Sequence, residues 1–297
     1  MRTTVIGSYP LDYEELGPKA VERAVEEQIA AGVELVSDGQ TRADMVSAYA
    51  GVLEGVELRS EPGSNNKKLH IVGRVALKDP SMFVEDFLLA TRTAAGRAAV
   101  KAIVTGPVTL AFSSILDTKA YSGYRDRSLF MDISDALLGI AKELEGAGAS
   151  HFQIDEPFFS VGAPMDLAQE GVENIATQLD GEVALHVCGD VSRVFDTLLG
   201  FKGVHVLSHG FAGTPANLAQ VSREKLDKAG KLLGFGCVDS ASEAVEDEEA
   251  VISLLRLGME LAGRKNLVLH PDCGLRALPH DVARRKLEIM CRASKSI

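Results

Sequence analysis

The sequence predicts an α/β protein: a single (β/α)8 TIM barrel with a β-hairpin inserted after its second strand. The prediction rests on eight short runs rich in Val, Ile and Leu, on amphipathic segments between most of them, and on the length of 297 residues. Parallel strands are buried on both faces and are therefore apolar, and one such barrel commonly has about 250 residues or more. An open doubly wound sheet is the main alternative, but no Gly-x-Gly-x-x-Gly motif follows the first run.

The predicted strands alternate with predicted helices along most of the chain. The strands are expected at residues 3–8, 34–39, 101–106, 151–156, 183–189, 204–210, 232–239 and 267–274. Residues 13–32 and 247–265 are examples of the segments between them, and the second has apolar residues at a spacing close to 3.6, as in an amphipathic helix.

One segment, residues 58–80, departs from this alternation. Its Pro-Gly-Ser-Asn-Asn cluster at 62–66 predicts a turn between two short strands. We therefore expect the hairpin here, after the second barrel strand. Because the chain contains no repeat and no linker-like stretch, residues 1–297 are predicted to form one domain.

Composition excludes several classes of function. The net charge of −11 argues against nucleic acid, whose phosphates require a basic surface. No run of about 18 apolar residues predicts a membrane helix, and the first residues lack the pattern of a signal peptide. Four widely spaced cysteines do not resemble a disulfide framework, so a cytoplasmic protein with reduced thiols is expected.

Polar residues at the predicted strand ends indicate a metal site. His186 and Cys188 lie two positions apart, which places them on one face of a strand. The carboxyl ends of barrel strands converge on one face, so Cys273, at the end of the last strand, can join them. One imidazole and two thiolates suit Zn²⁺, with a fourth position left open. The alternative is that both cysteines are small buried apolar residues, but their positions at strand ends favour the metal.

The charge of such a site indicates its chemistry. Zn²⁺ with two thiolates carries no net charge and is a mild Lewis acid, which polarises a carbonyl poorly. It holds a substrate thiol as a thiolate that remains nucleophilic. Thiol alkylation is therefore the favoured reaction, and hydrolysis is the alternative.

Seven blocks, in order, resemble the C-terminal catalytic barrel of cobalamin-independent methionine synthase, over essentially the whole chain. They are TTVIGSYP at 3–10, SDGQTRADMV at 37–46, TGPVTL at 105–110, FQIDEP at 152–157, HVCGD at 186–190, GFGCVD at 234–239 and HPDCGLR at 270–276. The resemblance is to short members of the family that consist of this barrel alone.

The resemblance implies methyl transfer to homocysteine, whose sulfur binds the zinc, so that methionine forms. It assigns His186, Cys188 and Cys273 as zinc ligands. It also places the amino-acid end of homocysteine against Asp155 and the turn of Ile6, Gly7 and Ser8, and a carboxylate suits an ammonium group.

Two departures from the family concern the acceptor side of the site. The zinc-binding glutamate of the family falls at Gly210. The neighbouring His209 is a possible fourth ligand only if the strand bulges, because alternation points it to the other face; otherwise water or substrate fills the position. A glutamate that contacts homocysteine in the family falls at Gln40, which keeps hydrogen bonding and loses the charge.

Three further departures concern the methyl donor. A tryptophan that stacks on the pterin of the folate falls at Ser113, a folate-contacting glutamate falls at Val161, and the histidine proposed to protonate the leaving amine falls at Ala241. Methyltetrahydrofolate requires that proton, whereas cob(I)alamin leaves without one. We therefore expect methylcobalamin or a methylated corrinoid protein as the donor.

Two other functions remain open at this point. HVCGD at 186–190 also resembles the zinc motif of corrinoid:coenzyme M methyltransferases, so another thiol could be the acceptor. Coenzyme M has a sulfonate and no amine for Asp155 to bind, which favours homocysteine. The missing glutamate at Gly210 leaves open a zinc-binding barrel without activity.

Overall fold

The computed structural model describes residues 1–10, 17–60 and 67–297, which form an α/β fold. Its strands are β1 (Arg2–Thr3), β2 (Leu35–Val36), β3 (Leu53–Ser60), β4 (Lys67–Leu77), β5 (Ala99–Val100), β6 (Ala102–Thr105), β7 (Ile115–Leu116), β8 (His151–Asp155), β9 (Glu182–His186), β10 (Val206–Gly210), β11 (Leu232–Gly236) and β12 (Leu267–His270). Its α-helices are α1 (Pro18–Ala30), α2 (Ser81–Ala94), α3 (Pro107–Ser113), α4 (Arg127–Gly146), α5 (Met165–Ala176), α6 (Phe195–Leu198), α7 (Arg223–Ala229), α8 (Glu248–Ala262) and α9 (His280–Lys295).

A curled parallel sheet forms the centre of the molecule. Seven of its strands are hydrogen-bonded in the order β1-β12-β11-β10-β9-β8-β6. Beside them, β2 pairs in parallel with β5, and Thr4 forms an isolated parallel bridge with Leu35. Each of the eight predicted runs overlaps a strand of this parallel system. Most observed strands end before the predicted run does, so the polar residues lie in the loops that follow.

The helices cover the sheet, and α8 illustrates why they form. It begins after Asp247. Two glutamates in its first turn stabilise the helix, because their negative charges lie near the positive end of the helix dipole. Val251 and Leu255 are fully buried against the sheet side, as the predicted spacing requires. The predicted amphipathic segment is thus a helix. In the segment 13–32 the helix begins at Pro18, and the residues at 11–16 lie outside the described part of the chain.

An antiparallel pair of strands follows β2 along the chain. β3 and β4 pair from Leu53 with Leu77 to Ser60 with Lys67, with an irregularity between Glu54 and Val56. The pair begins at residue 53, five residues before the predicted segment, and the predicted turn at 62–66 lies outside the described residues. β7 adds a third strand, parallel to β4, which the sequence did not predict.

The longest described helix, α4, has 20 residues and packs its buried face against α5 and β4. Its first turn is capped by the Asp126 side chain, which accepts a hydrogen bond from the Ser128 amide. Charged residues occupy its other face. No helix in the described ranges is long and apolar enough to cross a membrane.

Candidate metal centre and substrate cleft

Curling of the sheet brings three candidate ligands together. His186 is the last residue of β9, Cys188 follows two residues later, and Cys273 follows three residues after the end of β12. Two strands lie between β9 and β12, so a flat sheet would separate their ends by about 14 Å. The ligand atoms instead lie within 4.8 Å of one another. His186 Nε2 is 2.9 Å from Cys188 Sγ, which is 2.8 Å from Cys273 Sγ.

The two sulfur atoms lie in hydrogen-bonding contact, which shifts their pKa values in opposite directions. The Cys188 thiol hydrogen-bonds to Cys273 and, with His186, lowers the pKa of Cys273 to about 4 against the effect of burial. The same hydrogen bond, with burial, raises the pKa of Cys188. The site therefore stabilises one thiolate at neutral pH. Two soft sulfur ligands beside an imidazole nitrogen suit Zn²⁺.

A buried chain of hydrogen bonds assigns the tautomer of His186. His270 Nδ1 lies 2.6 Å from the carbonyl of Pro271, which only accepts, so His270 Nε2 carries no proton. Ser208 Oγ lies 2.8 Å from that Nε2 and donates to it. Ser208 then accepts from His186 Nδ1 at 3.2 Å. With Nδ1 donating to Ser208, a neutral His186 would present an unprotonated Nε2 to the sulfur atoms, which is the form that binds a metal.

Gly234 provides the space for this chain of hydrogen bonds. A Cβ atom at this position would lie 2.7 Å from His270 Nε2 and 2.9 Å from the Ser208 side chain. A Cβ atom does not approach other heavy atoms this closely, so any other residue would displace the pair. Only glycine fits at the first position of the GFGCVD block, because His270 and Ser208 fill the space beside it.

The structure does not bring His209 to the three ligands. β10 pairs with β11 in a continuous register through His209 and with β9 as far as Ser208, without the bulge that ligation would need. The His209 ring packs edge-on against Phe195 of α6, and its Nδ1 lies 3.1 Å from the Val187 carbonyl. Burial lowers the pKa of His209 to about 4, so the ring is neutral at physiological pH.

Position 210 has no space for a side chain either. A Cβ atom on Gly210 would lie 2.9 Å from the carboxyl carbon of Asp272. That carboxylate accepts hydrogen bonds from three successive backbone amides, those of Phe211, Ala212 and Gly213. Asp272 therefore fixes the loop after β10 in the space towards which a glutamate at 210 would extend.

A cleft of about 200 Å³ opens beside the three candidate ligands. It is lined by Ile6, Ser8, Gln40, Asp44, Met45, Asp155, Pro157, His186, Cys188, Cys273, Gly274 and Arg276. Four of the five residues expected to hold substrate thus lie with the candidate ligands. Gly7 is the fifth, and its carbonyl accepts a hydrogen bond from Ser37 at 3.0 Å.

Asp155 is the one buried carboxylate in this lining. It ends β8, beside His186 in the register of the sheet, and is only 5% exposed. Burial raises the pKa of Asp155 to about 6, although His186 and a hydrogen bond from Gln153 oppose the shift. It is therefore mostly ionised at pH 7 and lacks a cation in hydrogen-bonding contact among the described side chains.

Two loops bring the remaining predicted residues to the cleft. Gln40 adopts a left-handed backbone conformation with φ of 50°, uncommon for a side chain of this kind. Its amide donates to Asp38, and Arg276 donates to its carbonyl. Ser8 lies so close to Gly274 that a Cβ atom there would overlap the Ser8 hydroxyl. The last loop of the sheet is thus held against the first.

The three residues that replace the folate-contacting side chains lie outside this cleft. Val161 is 73% exposed, Ala241 is exposed, and Ser113 at the end of α3 is half-buried. Phe112, beside Ser113, has near-parallel aromatic neighbours, Tyr124 and Phe158, with centroids 5.9 Å away. Phe112 thus already packs against two aromatic rings.

Several residues of the cleft were not singled out from the sequence. Asp44, Met45, Gly274 and Arg276 belong to the blocks SDGQTRADMV and HPDCGLR, but nothing in the spacing distinguished them from their neighbours. The hydrogen bonds of Ser208 and His270 behind His186 were also not predicted. Both residues lie within apolar runs, and such runs predict only strands.

Comparison with known proteins identifies relatives that match along the full chain. The family model described as the catalytic domain of the cobalamin-independent synthase matches residues 11–296. The methionine synthase of Methanothermobacter thermautotrophicus is 40% identical, covering 99% of both chains. That of Methanocaldococcus jannaschii is 37% identical, covering 100% of this chain and 99% of its own.

A solved structure is similar over nearly the whole chain as well. The B12-independent methionine synthase of Shewanella sp. W3-18-1, in complex with selenomethionine, superposes with a TM-score of 0.82 at 25% identity. The match covers 99% of this chain and 96% of that one.

Proposed function

Because this chain belongs to the cobalamin-independent methionine synthase family, we propose that it transfers a methyl group to the sulfur of homocysteine and so forms methionine. The observation that carries the proposal is the convergence of His186, Cys188 and Cys273 beside a cleft that contains the buried carboxylate of Asp155. A thiol-activating group and an ammonium-binding group are the two features that homocysteine requires.

His186, Cys188 and Cys273 are the residues proposed to hold Zn²⁺. The distances among their ligand atoms and the tautomer assigned to His186 support a metal at this point. Bound zinc would lower the pKa of a substrate thiol so that its sulfur is a nucleophilic thiolate at neutral pH. With Gly210 lacking a side chain and His209 directed elsewhere, the fourth position is available to the substrate.

Asp155 is proposed to bind the ammonium group of homocysteine, and Ile6, Gly7, Ser8 and Gln40 are proposed to enclose its amino-acid end. A buried carboxylate attracts an ammonium strongly, because little water screens the pair. The same charge repels a sulfonate. The acceptor is therefore proposed to be an amino-acid thiol and not coenzyme M. The selenomethionine in the relative from Shewanella sp. W3-18-1 carries the same amino-acid end.

The methyl donor is proposed to be methylcobalamin presented by a corrinoid protein. The aromatic ring is missing at Ser113, the carboxylate at Val161 and the general acid at Ala241. Phe112, beside Ser113, already packs against two aromatic rings. Absence of a general acid typically costs about 10² to 10⁴ in rate, and a methyl–cobalt bond does not need one. Val161 and Ala241 are exposed, so a large donor could reach both positions.

We also propose that the parallel strands close into one (β/α)8 barrel, as a single domain with β3 and β4 as its hairpin insertion. The bridge between Thr4 and Leu35 supports closure, because it connects the β1 edge of the seven-stranded sheet to the β2–β5 pair. β5 and β6 are separated only by Lys101, so one continuous segment joins that pair to the other edge.

Turnover with alternative substrates tests the proposed function. Zinc-loaded protein with homocysteine should form methionine from methylcobalamin, slowly with the free cofactor and faster with a corrinoid protein. Methyltetrahydrofolate should give no methionine above background. Robust turnover with methyltetrahydrofolate and none with methylcobalamin would overturn the donor.

A parallel assay with coenzyme M tests the acceptor. Preference for coenzyme M over homocysteine would overturn the substrate assignment. Zinc and thiol binding without turnover on either donor would support a barrel that has lost activity.

A further inference from the structure

The side chain of Gln153 joins the two parts of the proposed homocysteine site. Gln153 lies in the middle of β8, 1% exposed, two residues before Asp155. Its Nε2 donates to the carbonyl of Ile6 at 2.7 Å and to Oδ1 of Asp155 at 2.6 Å. One amide group therefore contacts both the turn after β1 and the carboxylate at the end of β8.

A buried lysine sets the orientation of this amide. Lys101 is 5% exposed, and its Nζ donates to Gln153 Oε1 at 2.5 Å and to the carbonyl of Val5. An ammonium group has donors and no acceptor. It must therefore face the oxygen of the Gln153 amide, and this forces the NH₂ group towards Asp155 and Ile6.

The placement of this lysine is costly and calls for a functional reason. The interior of an α/β barrel is usually filled by branched apolar side chains, and burial of an ammonium is unfavourable unless it is well paired. Burial lowers the pKa of Lys101, and the Asp155 charge opposes the shift. The described hydrogen bonds of Lys101 and Gln153 do not include the side chains of His186, Cys188 or Cys273.

We infer that Lys101 and Gln153 are positioning residues that specify an amino-acid substrate, because they hold Asp155 and the Ile6 turn in the geometry that receives its ammonium group. This inference rests on the proposed function. The Gln153 amide uses one oxygen of Asp155 and leaves the other available to the substrate. Without Lys101 the oxygen of the Gln153 amide would lose its donor, which would loosen the side chain that holds Asp155 and the Ile6 turn and so weaken the ammonium site.

Calorimetric titration of zinc-loaded protein tests the inference with two thiols. The first is homocysteine, and the second is its analogue without the amino group. In Lys101→Met and in Gln153→Met, homocysteine should bind about 10- to 100-fold more weakly, as expected for a disturbed hydrogen bond to a charged group. The analogue should bind with unchanged affinity, and zinc content should equal that of the parent.

Lys231→Met is the matched control. Lys231 is 6% exposed, and its Nζ donates to two backbone carbonyls, those of Phe201 and Val204, away from the cleft. This variant should bind both thiols as the parent does. If Lys101→Met does not fold while Lys231→Met does, the decision rests on Gln153→Met by the same criteria.

The outcomes separate failure of the inference from failure of the proposed function. Unchanged homocysteine affinity in the Lys101 and Gln153 variants, or equal loss for both thiols, would overturn the inference. Asp155→Asn distinguishes the two levels: if this variant alone loses homocysteine, the substrate assignment stands and the positioning role fails. If the parent does not prefer homocysteine over the analogue, the proposed ammonium site itself is wrong.

Discussion

Two sets of residues in this molecule are built in different ways: those proposed to bind the thiol, called the acceptor side, and those at positions where the family resemblance places folate contacts, called the donor side. On the acceptor side, His186 and Asp155 are buried at the ends of β9 and β8, and the groups behind them are hydrogen-bonded in fixed directions. On the donor side, Val161 and Ala241 are exposed and carry no polar side-chain atom. The groups proposed to bind and activate a thiol are thus buried and directed, whereas Val161 and Ala241 offer no side-chain group that could activate a folate.

This difference indicates which part of the reaction the protein promotes and which part depends on the methyl donor. Activation of the thiol depends on directed hydrogen bonds and charges, which only a rigid, dehydrated scaffold can hold. Departure of cob(I)alamin requires no proton and no stacking ring, so a donor of this kind brings its own leaving-group chemistry. Four predictions, from the largest expected effect to the smallest, test whether these residues bind zinc and homocysteine.

Loss of a thiolate ligand should have the largest effect. Cys273→Ser replaces the sulfur with the lowered pKa by a hydroxyl that remains neutral, so zinc content should fall from about one equivalent to near zero. Metal analysis after dialysis measures this. Cys291→Ser, in the buried face of α9, should retain the parent zinc content. Equal zinc in Cys273→Ser and the parent would remove Cys273 from the site.

Removal of the Asp155 charge should come second. Asp155→Asn keeps the shape of the side chain and leaves the substrate ammonium without its buried partner, at a cost of about 3 to 5 kcal/mol in homocysteine binding. The measurement is the ratio of dissociation constants for homocysteine and for the analogue without the amino group. A parallel loss for both thiols would mean that Asp155 only supports the fold.

Disruption of the hydrogen bond behind His186 should have a smaller effect. Ser208→Ala frees the His186 tautomer, and loss of such an outer partner typically lowers metal affinity about 10- to 100-fold. Competition with a chelator measures it. Ser134→Ala is the control, since Ser134 is equally buried and donates to the Gly171 carbonyl between α4 and α5. Unchanged zinc affinity in Ser208→Ala would show that the tautomer is set by other contacts.

Acidification should weaken homocysteine binding by the smallest amount. Burial raises the pKa of Asp155 to about 6, so the carboxylate proposed to bind the ammonium is lost as pH falls through this value. Affinity should decrease about tenfold at pH 5 relative to pH 7. The analogue without the amino group should lack this component, whereas loss of zinc at low pH would affect both thiols alike.

The candidate ligands were predictable from the sequence because their signal is local or topological. His186 and Cys188 are separated by two residues, which alternation places on one face, and strand ends of a parallel barrel converge wherever they lie in the chain. The same reasoning located the eight runs of the parallel sheet. Observed strands are shorter than predicted because residues such as Cys188 and Cys273 leave the hydrogen-bonded ladder to reach the cleft.

The network behind the site was not predictable, because its partners are distant in sequence. Lys101 opens the run KAIVTG and has the composition of a strand boundary, yet it donates to Val5, 96 residues away. Gln153 is an interior polar residue whose partners depend on which strands are neighbours. His209 was expected as a ligand only if the strand bulges, and the regular pairing of β10 with β11 through His209 depends in the same way on which strands are neighbours.

X-ray absorption at the zinc edge tests whether the metal centre binds the substrate thiol, because it counts the sulfur atoms around the metal with and without homocysteine. We expect two sulfur ligands from Cys188 and Cys273 in the free protein and a third when homocysteine is added, at about 2.3 Å from the zinc. The Asp155→Asn variant should require more homocysteine to reach the same spectrum. A sulfur count that stays at two at saturating homocysteine would show that the metal does not bind the thiol.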